Sequence, residues 1–367
     1  MKQAHLTLAT LALLAIAVPR PATAQDLIEE PLRIPMPEAG HKGLEAFMVR
    51  PNDTAPHPLA LLTHGTPREA SQRGDITALN FVPQAREFAR RGWTTVIVVR
   101  RDYGTSGGNY AEEGGSCTSH PDYYDQGKES ARDLRFSISY LSTLPQVDAS
   151  RIISVGVSAG GFANVALTAD PPPGLVAAIS FAGGRGSKKP DEVCNPGYLV
   201  RAFGDFGKTS RVPMLWIYAQ NDRFFGPQLA AAFYQAFTQS GGQATFIRAA
   251  AFRRDGHGLF SPGGIPIWTP MVDEFLAGQG LKLRAELLAL PVAPDVAPPG
   301  SLSEEGRREW RSFLTYPQHS AFAVSDRGHY GLAYGRADDK TARKAALEHC
   351  EDGVSHGDRC RLVETQP

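Results

Sequence analysis

The sequence predicts an α/β fold, a mostly parallel sheet with helices on both faces, followed by a small α+β unit at the C-terminal end. Three observations point there. Short apolar or β-branched runs alternate with helix-spaced stretches through residues 25–290. A serine flanked by glycines sits between one such run and the next helix. A proline-rich connector at 291–300 then separates this region from 301–367, where strand-like and helix-like stretches alternate on a smaller scale.

Taken in order, residues 58–63 read as a buried strand ending in His64-Gly65-Thr66-Pro67. Residues 94–99 form a second strand, ending in Arg100-Arg101-Asp102-Tyr103-Gly104-Thr105-Ser106-Gly107-Gly108. Leu134, Ile138 and Leu141 give 125–144 helical spacing. A strand at 151–155 and a helix at 161–167 bracket Gly156-Val157-Ser158-Ala159-Gly160, and further strands follow at 175–181, 213–219 and 244–249. Residues 281–288 read as the end of the last helix or an extension of it.

The glycine-flanked serine carries the chemistry. G-x-S-x-G between a strand and a helix forces so tight a turn that the serine's neighbours must be small, leaving its hydroxyl raised above the sheet. Ser158 is therefore the candidate nucleophile. The strand at 213–219 delivers Gln220-Asn221-Asp222 into a loop, and the strand at 244–249 is followed by Asp255-Gly256-His257-Gly258. His257 is placed to take the serine proton, and Asp222 to fix its tautomer and stabilise the imidazolium. Asp255 is a rival acid, but two residues from His257 it would have to fold back tightly to reach the far ring nitrogen. It reads instead as a turn residue before Gly256. Asp222 also has a structural alternative, as the cap of a helix starting near Pro227. The oxyanion donors are placed at the N–H of Ala159, after the nucleophile, and at Thr66. Pro67 has no N–H, and the Thr66 hydroxyl is a further candidate donor. His64 reads as a support for this loop, and Ser106, outside any such turn, as a poor rival nucleophile.

On the His-Gly loop, the serine turn and the placing of Asp222 and His257, residues from about Glu30 to Gln279 resemble α/β-hydrolases of the dienelactone-hydrolase and prolyl-oligopeptidase-like branch. The segment from Asp102 to Gly107 resembles the glycine-rich turn found after the same strand in that fold, and is expected at the mouth of the site. Dienelactone hydrolases carry a cysteine where Ser158 stands here. Prolyl oligopeptidases add a large β-propeller and amine-binding carboxylates, which have no counterpart in this sequence, so an exopeptidase acting on free amino termini is disfavoured.

The first 24 residues read as a secretory signal: a short basic start, an apolar run at 6–18, and Ala22-Thr23-Ala24 as the small-x-small cleavage site. An exported, periplasmic or secreted protein with no membrane span in its mature form is expected. Four cysteines agree, since disulfides persist where the chain would go. The simplest of their three arrangements is local, Cys117 with Cys194 and Cys350 with Cys360. His120, His349 and His356 stand near cysteines, but without a C-x-x-C pair a metal site is not expected. With 38 basic and 38 acidic residues and no basic stripe, nucleic acid is not an expected partner. No phosphate loop or dinucleotide fingerprint implies a cofactor. The oligomeric state is open.

In the C-terminal unit, Ser301-x-x-Glu304 reads as a capping box before a helix bearing Trp310, Phe313 and Leu314. Asp326-Arg327-Gly328 joins two strands as a hairpin, 341–350 forms a helix, and 361–363 a last strand. So many large apolar residues in so small a unit imply docking on the larger one. His319 and His329 are the residues to test should this unit contribute to catalysis. The sequence thus predicts a serine hydrolase of small carboxylic esters. The alternatives are a serine peptidase or amidase, and a non-catalytic binding protein on the same scaffold. Only about thirty residues separate the strands at 175–181 and 213–219, which leaves room for a small cap and not a large lid.

Overall fold

The computed structural model describes residues 26–117, 119–352, 354 and 358–366. The expected signal at 1–24 lies outside the described residues. The chain opens with β1 (Leu27–Ile34) and β2 (Leu44–Pro51), a pair that runs antiparallel in full register. Then come β3 (His57–Thr63), α1 (Val82–Ala89), β4 (Thr94–Val98), α2 (Tyr123–Leu141), β5 (Val147–Val157), α3 (Ala159–Ala169) and β6 (Leu175–Phe181). A two-stranded hairpin of β7 (Ser187–Lys189) and β8 (Glu192–Val193) leads to α4 (Pro196–Gly207), β9 (Met214–Ala219), α5 (Pro227–Gln239), β10 (Ala244–Ala249) and α6 (Ile265–Gly278).

Eight strands form one sheet in the order β1-β2-β4-β3-β5-β6-β9-β10. β2 alone runs against the rest, and from β4 to β10 every pairing is parallel. Parallel strands need crossover helices, and the strand pattern shows both faces covered. In β3, Leu59 and Leu61 pack on one side with Leu134, Phe162, Phe203 and Phe233 of α2 to α5. Ala60 and Leu62 pack on the other with Phe88 of α1 and Trp268 and Val272 of α6. That period-2 split within a continuous apolar run is what a strand buried on both faces requires.

The helix expected to continue through 281–288 ends at Gly278. Gly280 adopts φ 72°, and the N–H groups of Gly280 and Leu281 close back on the Ala277 and Leu276 carbonyls at 3.0 and 2.8 Å. This left-handed stop terminates α6. The chain then runs without regular structure past 291–300.

The C-terminal unit consists of α7 (Glu304–Phe313), β11 (Ser320–Ser325), β12 (Tyr330–Ala333), α8 (Asp339–Glu351) and β13 (Cys360–Gln366), its strands forming an antiparallel sheet in the order β12-β11-β13. Its helix cap differs from the expected Ser301: the Ser303 hydroxyl accepts from Gly306 N at 3.1 Å, while Ser301 donates to the Ser325 carbonyl. Trp310, Phe313 and Phe322 bury one another within the unit. Contact with the larger unit includes polar bonds. Asn80 donates to the Tyr334 and Gly335 carbonyls at 3.1 and 3.0 Å, Thr77 donates to Gly335, and Arg253 pairs with Glu309 at 2.6 Å.

Candidate active site

Ser158 occupies the junction of β5 and α3 with φ 56° and ψ −123°. This is a backbone region that L-residues other than glycine rarely enter, and such strain is characteristic of sites where a side chain must be presented. The flanking glycines are explained by close approach. A Cβ on Gly156 would stand 2.3 Å from the Gly160 carbonyl oxygen, and one on Gly160 would stand 2.5 Å from that of His64. Only glycine at both positions lets the turn close and α3 lie against the end of β3. Ser158 N–H donates to Phe181 O at 2.9 Å, which anchors the turn to β6.

The candidate acid and base come from the ends of β9 and β10. His257 Nδ1 lies 3.1 Å from Asp222 Oδ2, with the Asp222 side chain fully buried and His257 mostly so. The other Asp222 oxygen accepts from the N–H groups of Phe224 and Phe225 at 2.7 and 2.8 Å. With both oxygens accepting, the carboxyl group is fixed in orientation beside the imidazole. Phe224 stacks on the His257 ring (centroids 3.8 Å, planes 10° apart), and Phe225 meets it edge-on. Asp222 does not cap α5, whose N-cap is Gly226. Asp255 takes the turn position expected of it and does more. Its Oδ1 accepts from His257 N at 2.9 Å and Arg223 N at 3.0 Å, tying the base loop to the acid loop.

Thr66, Ser158 and Ala159 line one cavity of about 670 Å³, together with Phe224 and Phe225. Ala159 is the first residue of α3, so its N–H has no partner within the helix. Gly65 lies over the serine; a Cβ there would be 2.9 Å from Ser158 Cβ. The Thr66 hydroxyl is not available as a donor: it lies 2.7 Å from Tyr103 Oη, which gives its own proton to Glu112 at 2.9 Å, so Thr66 must donate to Tyr103. Its backbone N–H remains. Among the described residues no hydrogen bond joins Ser158 Oγ to His257; such contacts often tighten only when substrate is bound.

Sequence reasoning missed the charged group beneath this loop. Glu112, fully buried, pairs with Arg100 and with Arg185, the latter at 2.7 Å. Arg100 also donates to the His64 carbonyl (2.7 Å) and to Thr63 Oγ1 (2.8 Å). Burial opposes the charge on Glu112, but the two guanidiniums outweigh it and hold the carboxyl well below its usual range. His64 supports the loop as expected. Its Nε2 accepts from Arg100 N at 3.0 Å and its Nδ1 donates to Gly65 O at 2.6 Å, and burial, aided by Arg100, keeps the ring from charging. Ser106 is committed to Val99 O and Glu45 N. The sequence signal for this network was Arg100 at a strand end.

The cysteines lie as the local arrangement would have them. Cys117 and Cys194 have Cα atoms 5.4 Å apart, Cys350 and Cys360 6.1 Å, both pairs with their sulfurs at bonding distance. Such pairs are compatible with an oxidising compartment. Among the described residues no helix is long and apolar enough to cross a membrane.

An eight-stranded sheet with one antiparallel strand, a strained serine between β5 and α3, and an Asp–His pair after later strands together specify an architecture. The fold is that of the α/β-hydrolases. Solved structures of similar fold include the esterase Est2 of the Planctomycetes species Thermogutta terrifontis, 16% identical, with a TM-score of 0.50 over 70% of this chain and 94% of that one. The same esterase phosphorylated by paraoxon gives 16% and 0.50, over 70% and 96%. The acylaminoacyl peptidase of Pyrococcus horikoshii is 16% identical with a TM-score of 0.51, over 72% of this chain and 43% of that one, so the chain spans less than half of the peptidase. No family model matches the sequence, and no curated protein does. The α/β-hydrolase core accounts for β1 to α6, and the C-terminal unit is an addition to it.

Proposed function

We propose that this chain is an exported serine hydrolase that cleaves carboxylic esters through an acyl-enzyme on Ser158. The observation that carries the reading is the strained Ser158 backbone at a cavity also lined by Phe224, the ring that stacks on His257, which in turn pairs with Asp222. In the reaction His257, its Nδ1–H donated to Asp222, takes the hydroxyl proton at Nε2 as Ser158 Oγ attacks the ester carbonyl. The N–H groups of Thr66 and Ala159 hold the oxyanion, and His257 returns the proton to the departing alkoxide. Water, deprotonated by the same ring, then releases the acid. The insertion of β7, β8 and α4 between β6 and β9 is short, which suits small esters rather than a lidded lipase site.

Arg68 gives the cavity a cationic wall. Its guanidinium lies 3.6 Å over Phe224, on the ring that stacks against His257, and Nη2 is buried without a hydrogen-bond partner. It would favour substrates that place an oxygen acceptor beside the scissile bond. An amide-cleaving reading has the support of the similarity to acylaminoacyl peptidase.

The experiment is a panel of p-nitrophenyl esters and peptide anilides assayed with wild-type protein and Ser158→Ala. Ester turnover that falls by about 10³-fold or more in the variant is expected, together with fluorophosphonate labelling of Ser158 alone. Wild-type turnover in folded Ser158→Ala would sink the reading, and anilide turnover exceeding ester turnover would favour the amidase.

A further inference from the structure

A second cleft, of about 1000 Å³, runs between the two units and shares no lining residue with the Ser158 cavity. One wall is the loop before α6, with Arg253, Arg254 and Ser261; the other is the face around β12, with Tyr316 and Tyr330. Two hydroxyls here have no partner among the described residues. Tyr316 is 8% exposed and its Oη is buried without a hydrogen bond, and so is Ser261 Oγ, from the opposite unit. Buried hydroxyls are nearly always satisfied, so two left unpaired in residues that line one cleft mark a place where something else, reached by a small shift of the wall, supplies the partner.

The charge of the lining selects the ligand class. Three arginines (253, 254, 327) are matched by three carboxylates (Asp255, Glu305, Glu309). An anion would meet the carboxylates, and an acyl chain would have to desolvate all six groups. Arg253 and Glu309 lie side by side at 2.6 Å, one from each unit, presenting a donor next to an acceptor. Adjacent hydroxyls of a sugar ring, each both donor and acceptor, match such a pair. Tyr330 packs one face on Phe322 with planes 11° apart and lines the cleft half-buried, the arrangement of an aromatic platform for the C–H face of a pyranose. His349 Nδ1 donates to the Leu332 carbonyl at 2.8 Å, leaving Nε2 for a ligand.

We propose that this cleft binds a neutral oligosaccharide, gripped jointly by the catalytic and C-terminal units. Asp255 lines it while holding the His257 backbone, so an occupied cleft adjoins the catalytic loop. Binding is independent of chemistry at Ser158, and the experiment therefore uses full-length Ser158→Ala. That protein is titrated calorimetrically with the neutral hexasaccharides of xylose, glucose, mannose and N-acetylglucosamine, with oligogalacturonate and a neutral hexapeptide as competitors. At least one neutral hexasaccharide should bind. Tyr316→Phe, which removes only the unpaired hydroxyl and leaves the fold intact, should weaken it by about tenfold, and exposed His349→Ala should weaken it as well. No heat with any neutral hexasaccharide at millimolar concentration overturns the proposal. So does binding that neither substitution weakens, or saturation by oligogalacturonate or the peptide alone.

Discussion

Asp222 and Asp255 hold different parts of His257, the one its ring and the other its backbone. Asp222→Asn presents the wrong partner to Nδ1 and should lower kcat by about 10⁴-fold. Asp255→Asn should be mild, because an amide oxygen can accept the same two N–H groups; steady-state kinetics on one ester would expose an inverted order. Activity requires a neutral His257 ring, since only neutral imidazole accepts from serine. Stability has a separate acid dependence at Glu112. Its depressed pKa contributes in full above the ordinary glutamate value of about 4.3 and is lost as pH falls through the lower folded value. Glu112→Gln, which leaves two buried guanidiniums short of their counter-charge, should cost about 3–5 kcal/mol at neutral pH. In denaturant melts that gap should shrink below pH about 4; a gap that widens in acid would show the opposite linkage. Ser158, Asp222 and His257 were legible because each follows its own strand at a short, recognisable spacing. Glu112 was not, because Arg185 lies 73 residues away and only the fold brings it to the carboxylate.

Elements are legible where periodicity and punctuation agree. β6 and β10 were bounded by apolar runs ending at turn residues, and the serine turn by its glycines. Gly160→Ala tests the physical reason for that motif. The added methyl would meet the Thr63 and His64 carbonyls, which are backbone and cannot yield, so α3 must shift from β3. A loss of about 1–3 kcal/mol and a large drop in turnover are expected, read by thermal melting and ester assay. Retained activity would mean the turn has slack. The ends of α6 and α7 were read less well. Gly280 stops α6 by a left-handed turn that competes with an otherwise acceptable apolar continuation. The Ser301 and Ser303 hydroxyls are two residues apart, and only the entry angle of the chain selects Ser303 as the cap. Ser303→Ala should therefore cost about 1 kcal/mol, measurable as a lowered melting temperature of the C-terminal unit.

At the scale of the molecule, docking was inferred from apolar surface in the C-terminal unit, yet those aromatics form a core of their own and the contacts seen include polar bonds. Individual hydrogen bonds across a unit boundary leave no periodic trace in sequence. A chain ending at Ala289 should keep turnover of a small ester while melting earlier, since Thr77, Asn80 and Arg86 lose partners in the missing unit. A folded but inactive truncation would place part of the site beyond the connector. The Cys117–Cys194 pair closes a loop with a sequence separation of 77 and should contribute about 4 kcal/mol. Its position has a further consequence. Gly114 and Gly115 line the Ser158 cavity just before Cys117, and Gly186 and Ser187 line it shortly before Cys194, so this one bond rivets two walls of that cavity. A chain kept in reducing surroundings would own every reacting group and still lack a fixed chamber to work in. On the proposed function, oxidation would then act as a maturation step, fixing the cavity at Ser158 only once the chain has left reducing surroundings.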